Sequence, residues 1–157
     1  MADGFKWVDV GTGAGFPGLA IKIARPEIKM TLVESKEKKV AFLHHMTGRL
    51  GLSGVSVIHG RIGARGAHSN MVPTGPFDLL LSRAVSPRVI LKDSYRIVRP
   101  GGRILLFQRE KDIAETREYL DGHHDIRIEE VHPMSFSLFP VAFSLVLLTC
   151  TSQGVSK

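Results

Sequence analysis

Four glycines fall within the eight residues Gly11-Thr12-Gly13-Ala14-Gly15-Phe16-Pro17-Gly18, directly behind the apolar run Trp7 to Val10 and directly ahead of the periodic segment Leu19 to Ala24. No other stretch restricts the fold as much. Glycine reaches positive φ without a Cβ penalty and leaves no side chain between backbone and ligand, so the pattern predicts a strand, a tight turn and a helix N-terminus in succession. Pro17 suits the first helical turn, where a missing N–H has no intrahelical partner. A turn of this kind lets a nucleoside-bearing cofactor lie against bare backbone.

Strand-like and helix-like runs then alternate. Met30 to Val33 reads as a second strand ending in Glu34, with Ser35 capping a helix whose apolar stripe is Phe42, Leu43, Met46 and Leu50. Gly51 to Gly54 stops that helix, Val55 to Ile58 is a third strand, and 60–76 is a loop containing Gly, Pro and Ser. Phe77 to Leu81 is a fourth strand, and Ser86-Pro87 opens a helix with Ser86 as N-cap, Pro87 first, and Leu91, Tyr95 and Val98 as its stripe. Pro100-Gly101-Gly102 ends it and leads into a fifth strand, Ile104 to Phe107, followed by a charged helix from about Lys111 to Leu120. Asp125 to Val131 and Val141 to Thr149 come next with no helix between them, so one of them must run antiparallel. The expected architecture is α/β: a mostly parallel seven-stranded sheet with one antiparallel strand and helices on both faces. It is expected to form one domain over residues 1–151, with 152–157 a disordered tail. Ligands of such a sheet bind beyond the carboxyl ends of the strands, where strand order reverses.

Formal charge is +6, a balance that favours polyanionic partners through counterion release. Arg61, Arg65, Arg83 and Arg88 fall in or just after the loops that follow strands three and four, on the ligand side. Arg61, Arg65, His68, Arg88 and Lys92 read equally well as an RNA-facing rim or as a solubilising set. The one cysteine, Cys150, can form no internal disulfide, and the chain shows neither a signal-peptide pattern nor an apolar stretch of bilayer length. A cytoplasmic protein with no membrane partner is expected. His44-His45 and His123-His124 lack partners at metal-binding spacing and read as solvated, so no metal is expected. Phe136, Phe139 and Phe143 read as core beneath the last two strands rather than as base-stacking residues.

Gly13-Ala14-Gly15-Phe16-Pro17-Gly18 satisfies the dinucleotide pattern G-x-G-x-x-G, and Glu34, 21 residues after Gly13, can accept hydrogen bonds from ribose hydroxyls. Both features serve NAD and S-adenosylmethionine alike. Asp9, two residues before Gly11, extends the pattern to D-x-G-x-G-x-G, which resembles motif I of class I S-adenosylmethionine-dependent methyltransferases. In that motif the acid orients the loop and the amino-acid end of the cofactor. The closing pair of strands is similar to the antiparallel ending of that Rossmann-like fold. The chain has no Tyr-x-x-x-Lys pair and no second domain to present a hydride acceptor. S-adenosylmethionine is therefore the expected cofactor, by analogy of fold.

VDVGTGAGFPGLAIKIA, TLVESKEKKVAFL, VIHGR, FDLLLSRAVSP and VRPGGRILLF together resemble the bacterial glucose-inhibited division protein B family over roughly residues 6–108. Phe16-Pro17-Gly18 and Ser82-Arg83-Ala84-Val85 are the most specific parts of the resemblance. It implies methylation at N7 of one guanosine in 16S ribosomal RNA, with that RNA or the small ribosomal subunit as partner. It also implies a cofactor site formed by Asp9, Gly11, Gly13, Gly15, Phe16, Glu34, Ile62, Gly63 and Arg83, with Arg83 also the active-site residue at its mouth. Guanine N7 has an in-plane lone pair and no proton, so its methylation needs no general base. The chain carries no Asn/Asp-Pro-Pro-Tyr after strand four for an exocyclic amine and no Pro-Cys nucleophile for a pyrimidine.

Three features depart from the family pattern. Gly63 stands where members often have an acid, the segment Phe143 to Cys150 is uncharged, and a helical segment that normally precedes the first strand has no counterpart here. The last departure leads to the expectation of an uncovered sheet face and of a homodimer formed through it. A cofactor- or RNA-binding module without catalysis and, further off, an NAD-binding oxidoreductase domain stay open as alternatives.

Overall fold

A computed structural model describes residues 4–63, 73, 75–136 and 139–151, with the side chains of 135–142 outside the described set. The elements are β1 (Lys6–Val10), α1 (Gly18–Ala24), β2 (Lys29–Glu34), α2 (Glu37–Arg49), β3 (Val55–His59), β4 (Phe77–Arg83), α3 (Pro87–Ile97), β5 (Val98–Gln108), α4 (Glu110–Leu120), β6 (Ile126–Phe136) and β7 (Phe139–Cys150). They form one seven-stranded sheet in the order β3-β2-β1-β4-β5-β7-β6. All neighbours are parallel except β7, which runs antiparallel to both β5 and β6. Strand order reverses at β1, between β2 and β4, so the glycine turn behind β1 stands at the switch point.

Period-two alternation sends the strands' apolar side chains to two cores. Val8, Val10, Leu80, Ile104, Leu106, Val146 and Leu148 pack on one face against Ile90, Leu91 and Ile97 of α3. On the other face Met30, Leu32 and Leu81 pack against Leu19 of α1 and Leu43 of α2. On this second face the β7 residues Leu145 and Leu147 stay partly exposed. Among the described residues no helix is long and apolar enough to cross a membrane.

Several local expectations are corrected. In α2 the buried positions are Val40 and Leu43, whereas Phe42 and Leu50 are exposed. Phe42 lies one residue, and so about 100° of helix rotation, from Leu43, which cannot put both against the sheet. In α3 the buried stripe is Ile90, Leu91, Ser94 and Ile97; Tyr95 is exposed and Val98 already belongs to β5. Ser94 takes a core slot because its hydroxyl donates to Leu91 O at 2.8 Å, which satisfies it within its own helix. Ser35 is not the cap of α2; that position is Lys36, with no side-chain cap bond. Ser86 is the N-cap of α3 by position, but its hydroxyl donates to Glu115 of α4 at 2.8 Å instead of accepting from the helix. β4 extends through Ser82 and Arg83, and β5 begins at Val98, ahead of the Pro100-Gly101-Gly102 segment, with a register shift in its pairing to β4. Cys150 is a buried free thiol whose pKa burial pushes up to about 11. Arg65, His68, the side chains of Phe136 and Phe139, and the tail 152–157 lie outside the described residues.

Candidate functional site

β1 delivers the chain to Gly11, where the N–H groups of Gly11 and Thr12 both donate to Val33 O of β2, at 2.9 and 3.1 Å. The turn therefore continues the β1–β2 pairing past the end of the strand. It closes on itself when Gly15 N and Phe16 N both donate to Thr12 O, at 3.0 Å each. Pro17 occupies the N-cap position of α1 rather than its first turn, and Gly18 is the first helical residue. The Gly18 N–H is one of the donors a helix start leaves unpaired, and it donates to Asp9 Oδ2 at 2.8 Å. Asp9 thus caps α1 from inside the sheet.

Asp9 is fully buried, so it acts on the loop from below rather than lining a surface. The same Oδ2 accepts from Thr12 Oγ1 at 2.6 Å, while Oδ1 is buried without a partner. Burial raises the Asp9 pKa to about 6, against the lowering effects of its bonds to Thr12 and Gly18 and of the Arg83 charge. Glu34, only 5% exposed, ties the other side of the turn: its Oε2 accepts from Gly13 N at 2.9 Å and its Oε1 from Lys36 N at 2.9 Å. Gly13 holds φ +64° and has no atom within 4 Å of where a Cβ would stand, so the loop is open on that side. Gly11 is closed: a Cβ there would come 2.5 Å from Val85 Cγ2.

A cleft of about 420 Å³ opens beside Gly11, between the carboxyl ends of β1, β2 and β3 and the start of α3. Gly11, Lys36, Arg61, Ile62, Val85 and Val89 contribute to its walls. Its described lining contains no carboxylate and no imidazole. Gly11 and Ile62 are thus brought together in one cavity. Asp9 and Glu34 stand behind the cavity wall as supports of the turn, and Gly63, with φ +75°, follows Ile62 at its edge.

Phe16 and Arg83 form a second cluster on the α1 side of the sheet, outside that lining. The Arg83 guanidinium carbon lies 5.2 Å from the Phe16 ring centroid, a cation–π contact. Phe107 meets Phe16 edge-on, with centroids 6.4 Å apart and planes at 65°. Between the two clusters runs Ala84, whose φ of +62° makes it the one non-glycine residue with positive φ among those described. Ser82 anchors this segment by donating from Oγ to Val10 O at 3.0 Å. Arg88 pairs with Glu118 at 2.8 Å and approaches Glu115 at 3.7 Å, which ties α3 to α4.

Reading the sequence missed Ala84, Val85, Val89 and Phe107. Ala84 and Val85 lay in plain view within Ser-Arg-Ala-Val, but only the fold shows Val85 filling the space above Gly11. Phe107 carried a usable signal, an aromatic residue at the carboxyl end of a strand on the ligand side. His44 and His45 are exposed, and His123 Nδ1 meets Tyr119 O at 2.7 Å beneath a stacked Tyr119 ring. Among the described residues no three His, Cys, Asp or Glu side chains converge as metal ligands.

A family model described as GidB, rRNA small subunit methyltransferase G, matches residues 1–138. A ribosomal RNA small subunit methyltransferase G from Caldanaerobacter subterraneus subsp. tengcongensis is 37% identical over 127 residues, covering 80% of this chain and 52% of the relative. One from Leuconostoc mesenteroides is 40% identical over 116 residues, covering 73% and 46%. The chain spans about half the length of these curated relatives. Among solved structures, a predicted O-methyltransferase from Agrobacterium tumefaciens superposes with TM-score 0.74 at 18% identity, over 95% of this chain and 75% of the other. An rRNA methylase from Streptococcus thermophilus superposes with TM-score 0.69 at 15% identity, over 96% and 89%. At these identities the likeness establishes the Rossmann-like methyltransferase fold.

Proposed function

The chain belongs to the GidB family of rRNA small subunit methyltransferases G, and from that premise we propose that it transfers a methyl group from S-adenosylmethionine to N7 of a guanosine in 16S ribosomal RNA. The observation that carries the reading is the division of the site by the glycine turn. A cleft lies on its β2–β3 side, and an exposed guanidinium with aromatic neighbours lies on its β4–β5 side.

The cleft suits the cofactor's nucleoside. Ile62, Val85 and Val89 offer apolar walls for a flat heterocycle, Gly11 offers bare backbone, and the volume is in the range of small-molecule sites. Glu34 accepts from Gly13 N, Lys36 N and, at 3.5 Å, Ser35 Oγ, and a carboxylate has about four acceptor positions, so one is left for a ribose hydroxyl. The Gly63 backbone N–H is the candidate contact to the adenine, and the backbone of Gly13, Gly15 and Phe16 carries the remainder of the loop contact. Asp9 holds the loop in shape. When bound, S-adenosylmethionine supplies an electrophilic methyl group on a sulfonium centre.

The residues of the chain then have to orient rather than deprotonate. Guanine N7 presents a lone pair and no proton, so the transfer needs no general base. Alignment of donor and acceptor can contribute several kcal/mol to such a displacement, on the order of 7–11 in well-oriented systems. Arg83 orients the guanine edge through O6 or holds a neighbouring phosphate, leaving N7 free. Arg61 and Lys92 add positive charge toward the RNA backbone.

The test is methyl incorporation into unmethylated small ribosomal subunits, with calorimetric titration of S-adenosylmethionine and NAD alongside. Arg83→Ala is expected to lower turnover by roughly a hundredfold, the size of one lost charge-positioning contact. Unchanged turnover removes Arg83 from this role. Binding of NAD but not S-adenosylmethionine overturns the reading, and tight S-adenosylmethionine binding without transfer assigns the chain to a non-catalytic module.

A further inference from the structure

We propose that Phe107 is a substrate-positioning residue against which the acceptor base stacks, so that an unpaired base is held on the β4–β5 side of the glycine turn. The inference rests on the reading above and names how its RNA substrate is gripped. Phe107 lies at the carboxyl end of β5 and stands beside Arg83 in the sheet register. Alternation along β5 puts Ile104 and Leu106 in the α3-side core, so Phe107 shares the opposite face with Leu105.

That face brings three flat groups into one surface. Phe107 meets Phe16 edge-on at 6.4 Å, and the Arg83 guanidinium covers part of the Phe16 ring at 5.2 Å. Phe16 nevertheless remains 51% exposed. None of the three lines the cleft that takes the cofactor in the reading above. A nucleobase satisfies all of them together: its π face stacks on a ring, its edge accepts from the guanidinium, and its backbone is drawn by a chain of formal charge +6. Phe16 belongs to the glycine turn and is tied to the cofactor by position. Phe107 comes from a separate strand and is half-buried, with part of its side chain open to solvent.

The experiment compares binding of a fluorescent ten-nucleotide oligoadenylate RNA with that of an abasic ribose-phosphate strand of equal length and charge, at fixed salt, by anisotropy. The full chain is used, with Phe107→Met, which keeps the apolar volume and removes the π face, and Phe107→Tyr, which restores it. Wild type is expected to prefer the purine strand by roughly fivefold or more, the lower end of one stacked base. Phe107→Met is expected to lose that preference, and Phe107→Tyr to keep it within about twofold. Equal binding of both strands by wild type, or an undiminished preference in Phe107→Met, overturns the inference. S-adenosylmethionine titration of the same three proteins separates the two readings. Loss of cofactor binding in wild type counts against the methyltransferase proposal, whereas the ratio of the two strands decides the stacking role of Phe107 in either case.

Discussion

Asp9 Oδ2 accepts the Gly18 N–H at 2.8 Å, so a carboxylate at the heart of the sheet caps the helix that begins nine residues later. Glycine at position 18 makes the contact available. A Cβ there would sit 2.5 Å from Leu32 Cδ2 and 2.7 Å from Asp9 Oδ2 itself. The glycine turn is shaped by this bond from beneath and by Glu34 from the side.

Gly18→Ala is therefore expected to destabilise the fold by about 2 kcal/mol, the usual cost of forcing a methyl into a packed interior. Gly13→Ala meets no atom within 4 Å and carries only the strain of φ +64°, about 1 kcal/mol. Urea unfolding of the two variants checks this order, and equal losses contradict it. Because the Gly13 methyl would project from the open side of the loop, S-adenosylmethionine binding by Gly13→Ala is expected to weaken by about tenfold in calorimetry.

The raised pKa of Asp9 makes stability depend on pH in a defined direction. Burial moves it from 3.8 to about 6, so between these values the folded chain holds a proton that the unfolded chain has released. The contribution of Asp9 to folding is complete below about pH 4 and is lost as pH rises through 6, a change on the order of 3 kcal/mol. Asp9→Asn lacks this titration. Denaturation at pH 4 and pH 7 should show the advantage of wild type over Asp9→Asn shrinking as pH rises, and a constant difference argues against the assignment.

Ala84 sits in the left-handed region, where an L-residue bears roughly 1–2 kcal/mol of strain. Ala84→Gly removes that strain and adds backbone entropy to the unfolded chain, for a net gain of about 0.5 kcal/mol. The same freedom loosens Arg83, so turnover on ribosomal subunits is expected to fall about fivefold, ~1 kcal/mol in the barrier. Thermal melts and kcat measured on one preparation test the opposed signs.

Lys22 is buried in α1, and its ammonium donates at 2.6 Å to both Pro26 O and Ile28 O, holding the turn into β2. Lys22→Met leaves the buried Ile28 carbonyl and the part-buried Pro26 carbonyl without that donor and is expected to cost about 1–3 kcal/mol. Guanidinium unfolding midpoints measure it, and a loss under about 1 kcal/mol would mean that water replaces the ammonium.

Much of the architecture was legible in the residues. Apolar runs separated by Gly and Pro located all seven strands, and the closing pair without a helix between them announced the antiparallel β7. Helix faces were less legible. Tyr95 carries far more apolar area than Ser94, yet Ser94 is in the core because its hydroxyl is satisfied by Leu91 O. Strand ends were misjudged for a related reason. Ser82 and Arg83 read as loop because they are polar, but pairing with Val10 and Phe107 keeps them in β4.

The sequence by itself determined that a strand–glycine–helix turn exists, that Asp9 and Glu34 flank it, and that the chain is basic, because glycine permissiveness, periodicity and charge are properties of short segments. Only the tertiary structure decided which way each of these residues faces. Whether Asp9 lies beneath the turn or on its surface, and whether Phe16 turns toward the cleft or toward Arg83 and Phe107, depends on the register of β1, β4 and β5. Register is a long-range property, set by how two cores close on opposite faces of one sheet.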